Sequence, residues 1–309
     1  MHIDALRNDF FAGKLPKQTY IDEIFKAHTV LMQYTEFIRN TNVQKLEITD
    51  GQLVVTTRDK GIRMFCNAHD KRLIPFETMN FYGYEQEEVE MILRLIQCSA
   101  SETIFDIGAN IGYISLCVAK TFQEARVFSF EPIPSTFEQL CSNIKLNNIN
   151  TIVPLSHGLS NQTGLVDFFF YPEGSVNSSL QQLVTTENLI TIKTSVTTLD
   201  EVVQDLDVAP DFIKCDVEGA ELLVFQGGKN ILQTVQPIVY TEMLRKWASK
   251  FNYHPNDIIR YFAELDYECF VIHNNKLEPF QTVTETTKET NYVFLHKQKH
   301  VTLKGLINQ

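Results

Sequence analysis

Apolar residues recur at helical spacing over residues 19–39, where Ile21, Ile24, Phe25, His28, Leu31, Met32 and Phe37 predict a long amphipathic helix. Residues 46–49 and 52–55 alternate and flank Asp50-Gly51. That pair suits the two positive-φ positions of a type I′ turn, so a β-hairpin is expected. A mixed stretch carrying Arg58, Lys60, Arg63, Lys71 and Arg72 runs to Tyr84, and residues 85–98 return to a helical pattern. From Glu102 the texture changes to short apolar runs alternating with helical ones. Strands are expected at 103–107, 126–130, 151–155, 212–215 and 237–241, with helices at 113–120, 135–146, 220–225 and 256–265. Two further β-rich runs lie at 165–171 and 189–196, and two strand-like segments, 267–272 and 292–296, close the chain. Apolar strands alternating with helices predict a doubly wound α/β fold, mostly parallel, with helices on both faces. The closing pair is placed as an antiparallel edge. Residues 1–84 then read as a helix-and-hairpin attachment, a substrate lid or an oligomer contact, and residues 85–309 as the α/β domain.

Charge sharpens this division. The 309 residues hold 27 Lys and Arg against 38 Asp and Glu, a formal charge of −11. Residues 1–84 carry 11 basic and 10 acidic side chains, the remainder 16 and 28. Such a negative field disfavours tracking of phosphates, so no nucleic-acid partner is expected. No apolar window is long enough for a membrane span, and the first residues lack the basic and apolar regions of a secretory signal. The six cysteines are scattered, without metal-ligand spacing. They read as small buried hydrophobes in a reducing cytoplasm.

The chemistry concentrates at three strand ends. Phe105-Asp106-Ile107-Gly108-Ala109-Asn110-Ile111-Gly112 sits where a strand turns into a helix. Glycine there permits unusual backbone angles and close approach of a ligand to the helix N–H groups. The spacing is G-x-x-x-G, which weakens a dinucleotide reading and removes a P-loop one. Glu131, ending the run Val127–Phe130, lies where α/β nucleotide sites place a ribose-binding carboxylate. The third segment, Lys214-Cys215-Asp216-Val217-Glu218-Gly219-Ala220-Glu221, sets carboxylates where a strand leaves the sheet. Helix capping by Asp216 explains one or two of these acids and is compatible with catalysis.

Asp106-Ile-Gly-Ala-Asn-Ile-Gly, Phe130-Glu131-Pro132, Val196-Thr197-Thr198-Leu199-Asp200 and Ile213-Lys214-Cys215-Asp216-Val217-Glu218-Gly219-Ala220-Glu221, in this order, resemble the FkbM family of S-adenosylmethionine-dependent methyltransferases. The resemblance runs from about Glu85 to His296. It implies a Rossmann-like, seven-stranded sheet with an antiparallel last strand, S-adenosylmethionine at its carboxyl edge, and O-methylation of a small-molecule or glycan hydroxyl, of sugar or polyketide type. It also implies that Asp106, Gly108, Asn110 and Gly112 line the methionine side and that Glu131 holds the ribose. Asp216 would face the methionine portion or the acceptor. Glu85, at the start of the matched region, joins this cofactor-binding set. The segment Ser156-His157-Gly158-Leu159 would border adenine, although His157 departs from the family's pattern.

An alcohol acceptor needs a positioned base. Glu218 and Asp216 rank first because the motif carries them, and Glu242, ending the strand at 237–241, comes next; His157 and His254 are weaker candidates, His254 reading as a capping residue. Trp247 lies where an acceptor could stack, though a lone tryptophan more often packs. No metal ion is assigned. An amine or carboxylate acceptor, or a nicotinamide-dependent oxidoreductase on a related sheet, is the alternative. A homodimer would give residues 1–84 a role.

Overall fold

The computed structural model describes residues 3–174, 178–183 and 188–303. The chain opens with two helices, α1 (Ile3–Phe11) and α2 (Lys17–Phe37), which pack on each other through a Phe10–Tyr20 ring stack at 4.6 Å. A three-stranded antiparallel sheet follows: β1 (Val43–Thr49), β2 (Gln52–Thr57) and β3 (Arg63–Phe65). Asp50 and Gly51 both have positive φ, as the expected two-residue turn requires. Helices α3 (Ile74–Asn80) and α4 (Gln86–Ser99) lead into the main body. There β4 (Thr103–Ile107), α5 (Tyr113–Thr121), β5 (Arg126–Phe130), α6 (Pro134–Leu146) and β6 (Ile152–Leu155) alternate.

A short β7 (Gly158–Leu159) joins β8 (Gly164–Phe170) and β9 (Ile190–Thr197) in a small separate sheet. Then come α7 (Leu199–Leu206), β10 (Phe212–Cys215), α8 (Glu221–Gly227), α9 (Lys229–Thr234), β11 (Ile238–Glu242) and α10 (Arg245–Ala248). The chain closes with α11 (Pro255–Glu264), β12 (Tyr267–His273), β13 (Lys276–Pro279) and β14 (Asn291–His296). A capping box of Thr198 and Glu201 starts α7, a helix the apolar pattern leaves unmarked.

The main sheet runs β13-β12-β14-β11-β10-β4-β5-β6. The expected mostly parallel α/β sheet is present, with one strand more than seven. The edge strand β13 is antiparallel to β12, while β14 is antiparallel to both β12 and β11 and lies between them. The closing pair β12 and β14 is antiparallel as expected, and β13 adds a hairpin with β12 beyond it. Both faces are covered, which is why β4, β10 and β11 are buried along almost their whole length.

Strand periodicity sorts side chains between the two faces. Phe105 and Ile107 enter the core beneath α8 and α11, and Ile104 enters the one beneath α4, α5 and α6. Asp106 shares the parity of Ile104. Its neighbours in register are Ser129 on β5 and Lys214 on β10, and Lys214 is followed by Tyr240 on β11. Four polar groups thus cross the α5-side face of the sheet in one row.

The first 84 residues are not uniformly peripheral. Ile62, Met64, Leu73 and Ile74 belong to the core shared with α4, α5 and α6, and Asn143 of α6 and Asn147, which caps its C-terminus, accept hydrogen bonds from the backbone N–H groups of Phe65 and Arg63 respectively. Helices α1 and α2, by contrast, contain no buried residue. All six cysteines are free. Cys117, Cys215 and Cys269 are buried, Cys66 and Cys141 half-buried, and Cys98 exposed. Among the described residues no helix is long and apolar enough to cross a membrane.

Candidate active site

A cavity of about 310 Å³ opens at the carboxyl ends of β4, β5, β10 and β11. Open α/β sheets bind ligands at this edge, because helix N-termini and loops converge there and leave backbone groups free. The first wall is the turn after β4. Gly108 has φ +76°, and a Cβ there would lie 1.8 Å from the Asp216 carbonyl oxygen. Only glycine lets the β4 and β10 loops approach so closely. Asn110 follows with φ +50°. Its N–H donates to Oε2 of Glu131 at 3.0 Å, while the Ile133 N–H donates to Oε1 at 2.9 Å. Both Glu131 oxygens are therefore oriented before any ligand arrives. Burial pushes the Glu131 carboxyl up to about 7, against the two N–H groups that pull it down.

Lys214 braces this turn from beneath. Its Nζ donates to the Gly108 carbonyl at 3.0 Å and lies 3.6 Å from Asp106 and 3.5 Å from Asp216. Burial alone would lower the lysine's pKa; the charges of Asp216, Asp106 and Glu85 outweigh it and raise it instead. The acidic part of the wall consists of Asp216, Glu218, Glu242 and Glu85. One carboxylate oxygen from each of Asp216, Glu218 and Glu242 lies within 4.8 Å of the others, a spacing at which three ligands could also hold a cation. Oδ1 of Asp216 and Oε2 of Glu218 are buried without a hydrogen-bond partner. Burial, then the Asp216, Glu221 and Glu85 charges, push Glu242 up to about 9. Burial and the neighbouring Asp216 and Glu242 raise Glu218 well above the ordinary carboxyl range. Burial and Asp216 raise Glu85 to about 7, with Lys214 opposing.

Three non-glycine residues of this wall, Glu85, Asn110 and Glu218, hold positive φ. A left-handed backbone costs about a kcal/mol or more for a residue such as glutamate, so the surrounding fold imposes it.

Of the residues expected from sequence, Glu85, Gly108, Asn110, Glu131, Asp216, Glu218 and Glu242 border the cavity. Asp106, Gly112 and His157 do not. Asp106 points to the α5 face, where the Ser115 hydroxyl donates to it at 2.5 Å. Gly112 starts α5, with φ +89° and Leu140 where a Cβ would go. His157 packs edge-on against Phe130, and Gly158 and Leu159 line the wall in its place. Burial lowers the His157 pKa. His254 caps α11, its Nδ1 accepting from the Asn256 N–H. Trp247 does border the cavity, with the Lys246 ammonium 4.2 Å from its ring centre. Lys214, Tyr84 and Lys246 also border the cavity and had no site role by spacing alone, and Arg72 joins them from the basic segment that opens at Arg58. For Lys214 a signal existed: a lysine inside an otherwise apolar strand needs buried partners.

The profile of the methyltransferase FkbM domain matches residues 106–269, just over half of the chain. The hexuronic acid methyltransferase AglP of Haloferax volcanii is 36% identical over 156 residues, which cover 50% of this chain and 61% of that protein. Methyltransferase sdnD of Sordaria araneosa is 25% identical over 193 residues, covering 50% of this chain and 74% of that one. The chain thus spans about three fifths of the first relative's length. The solved structure of methyltransferase FkbM from Methylobacillus flagellatus KT superposes with a TM-score of 0.41 at 20% identity, covering 63% of this chain and 43% of that one.

Proposed function

The chain belongs to the FkbM methyltransferase-domain family, and from that premise we propose that it is an S-adenosylmethionine-dependent O-methyltransferase acting on a hydroxyl of a small molecule or glycan. The observation that carries this reading is the convergence of Gly108, Asn110, Glu131, Asp216, Glu218 and Glu242 on one cavity at the carboxyl edge of the sheet. The nicotinamide alternative falls with the family assignment.

The lining suits the cofactor. Each Glu131 oxygen spends one lone pair on a backbone N–H and keeps another for a ribose hydroxyl. The unpartnered oxygens of Asp216 and Glu218 suit a cationic ligand. When bound, S-adenosylmethionine supplies an electrophilic methyl group on a positively charged sulfur. The residues of this chain then have two tasks, alignment and proton removal. Gly108, Ala109 and Asn110 bring backbone close to the ligand, and Lys214 holds that turn against β10. One carboxylate of the acidic wall accepts the acceptor's hydroxyl proton at a carboxylate oxygen. Glu218 and Asp216 rank ahead of Glu242 for this role. Burial makes the ionised form of Glu218 a stronger base than an exposed carboxylate, closer to what an alcohol requires.

The experiment is a methyl-donor assay over sugar, polyketide and peptide acceptors, with the product identified by mass spectrometry. Methyl transfer to a hydroxyl supports the reading; transfer only to nitrogen, or none with any acceptor class, overturns it. Glu218→Gln should retain cofactor binding, because Asp216 keeps its carboxylate toward the cationic ligand, and should lose turnover by about 10²–10⁴-fold.

An acidic sugar is a second reading of the acceptor. AglP is named a hexuronic acid methyltransferase, and Arg72 and Lys246 line this cavity in addition to Lys214. A carboxylate acceptor is already ionised and needs no base. Turnover of a sugar acid that survives Glu218→Gln would favour this reading over the hydroxyl one.

A further inference from the structure

We propose that α1 and α2 form the interface of a homodimer, each hairpin covering the apolar face of a second copy of this chain. Helix α2 spans 21 residues without one buried side chain. Leu31 is 55% exposed, Phe25 64% and Met32 66%, and Ile21, Tyr34 and Phe37 are also open to solvent. Helix α1 covers only the first part of α2, where Tyr20, Ile24 and Ala27 are half-buried; every residue from His28 to Phe37 is exposed. A helix in water without tertiary packing is marginal even with a favourable sequence. An apolar α2 therefore needs a cover that the described residues of one chain do not supply.

The amount of surface fits a second copy. Nine of the exposed large apolar side chains lie in residues 3–37. At roughly 200 Å² apiece when free and about half exposed, they offer on the order of 900 Å² around the hairpin, of which about half can face one partner, since consecutive residues such as Val30, Leu31 and Met32 point to different sides of α2. A stable interface takes ~800 Å² per partner, a little over half of it apolar, so one side of the hairpin suffices. The apolar positions Leu31, Tyr34 and Ile38 continue the three-four spacing begun by Tyr20, Ile24 and Ala27. That spacing suits helix-on-helix packing and a two-fold, self-complementary patch.

Charge selects the same occupant. Residues 1–39 carry five basic and five acidic side chains, so the −11 of the chain belongs wholly to the remainder. Two copies repel each other over most of their surface and meet without repulsion only at the hairpins. An anionic lipid surface would call for an excess of Lys and Arg on the polar face, which this hairpin lacks.

Light scattering of the full chain across a dilution series tests the proposal. The expected mass is twice the 35.6 kDa of one chain, dissociating on dilution. A 35.6 kDa species at every concentration overturns the proposal, whether a different protein or a lipid vesicle then proves to bind the hairpin. Two double variants, Phe25→Glu with Met32→Glu and Leu31→Glu with Tyr34→Glu, should each raise the dimer dissociation constant by about a hundredfold or more. These residues touch solvent in the monomer, so the thermal transition of the α/β body should remain. Dimers that persist unchanged in both variants overturn the proposal. Hydrogen exchange provides a second readout. Amides of residues 25–37 should gain protection as protein concentration rises, and concentration-independent exchange there argues against the interface.

Discussion

Glu131→Gln separates a carboxylate that binds the cofactor from one that only holds the loop. In the free protein Glu131 accepts from Asn110 and Ile133, and its carboxyl sits at about 7. A ribose diol donates to the ionised form, so cofactor binding competes with the proton. The apparent dissociation constant is the intrinsic one divided by the ionised fraction. With a value near 7, that fraction is roughly 0.9 at pH 8 and roughly 0.09 at pH 6. The wild-type protein should therefore lose about tenfold, or ~1.4 kcal/mol, of its affinity through this residue between pH 8 and pH 6. Glutamine does not titrate and offers one acceptor oxygen where two are used. At pH 8 it should weaken binding by about 10–100-fold, the loss of charged hydrogen bonds worth ~1.5–3 kcal/mol. The affinity ratio of wild type to variant should narrow about tenfold at pH 6. Calorimetric titration with S-adenosylmethionine at both pH values reads this ratio directly. Glu85 titrates over the same range, but it is present in both proteins and cancels. A ratio that stays constant from pH 8 to pH 6 refutes the linkage, and equal affinities at pH 8 remove the ribose role altogether.

Further tests address the scaffold beneath the site. Gly108→Ala sets a Cβ against the Asp216 carbonyl at positive φ; a lower thermal midpoint and weaker cofactor binding are expected, and a neutral outcome would mean that the two loops do not meet. Lys214→Met leaves the buried Asp106 and the half-buried Asp216 without the cation they share. Chemical denaturation should show a loss of about 3–5 kcal/mol, and a loss below ~1 kcal/mol would count against the brace. The cofactor-free protein should also become less stable as pH rises. Glu85, Glu131 and Glu221 are raised to about 7 and Glu242 to about 9. The folded chain therefore keeps protons that the unfolded chain releases from about pH 4.5 upward, and stability falls across that window. Thermal melts should give a lower midpoint at about pH 8 than at about pH 5.5, with Glu242→Gln recovering part of the difference; a midpoint that rises over this range contradicts the assignment.

Local chemistry made much of this protein legible in its sequence. Apolar runs of four to five residues between helical patterns could bury themselves only in a covered parallel sheet, so the α/β body followed from periodicity. Asp50-Gly51 specified its turn because few other pairs tolerate positive φ twice. Gly108, Glu131, Asp216 and Glu218 stood at strand ends, where the backbone itself dictates what can face a ligand.

What remained hidden depends on register and on distant parts of the chain. Asp106 occurs in the glycine motif, yet strand parity turns it to the α5 face, beside a Lys214 that is 108 residues away in the chain. Neither parity nor pairing can be read from one strand alone. Tyr84 and Lys246 reach the cavity only because the body brings the segments before α4 and after β11 to the same edge. The amphipathic pattern of α2 predicted its helix but not its cover. A single sequence states which face is apolar, whereas only the folded chain shows that no element among the described residues buries the exposed half from His28 to Phe37.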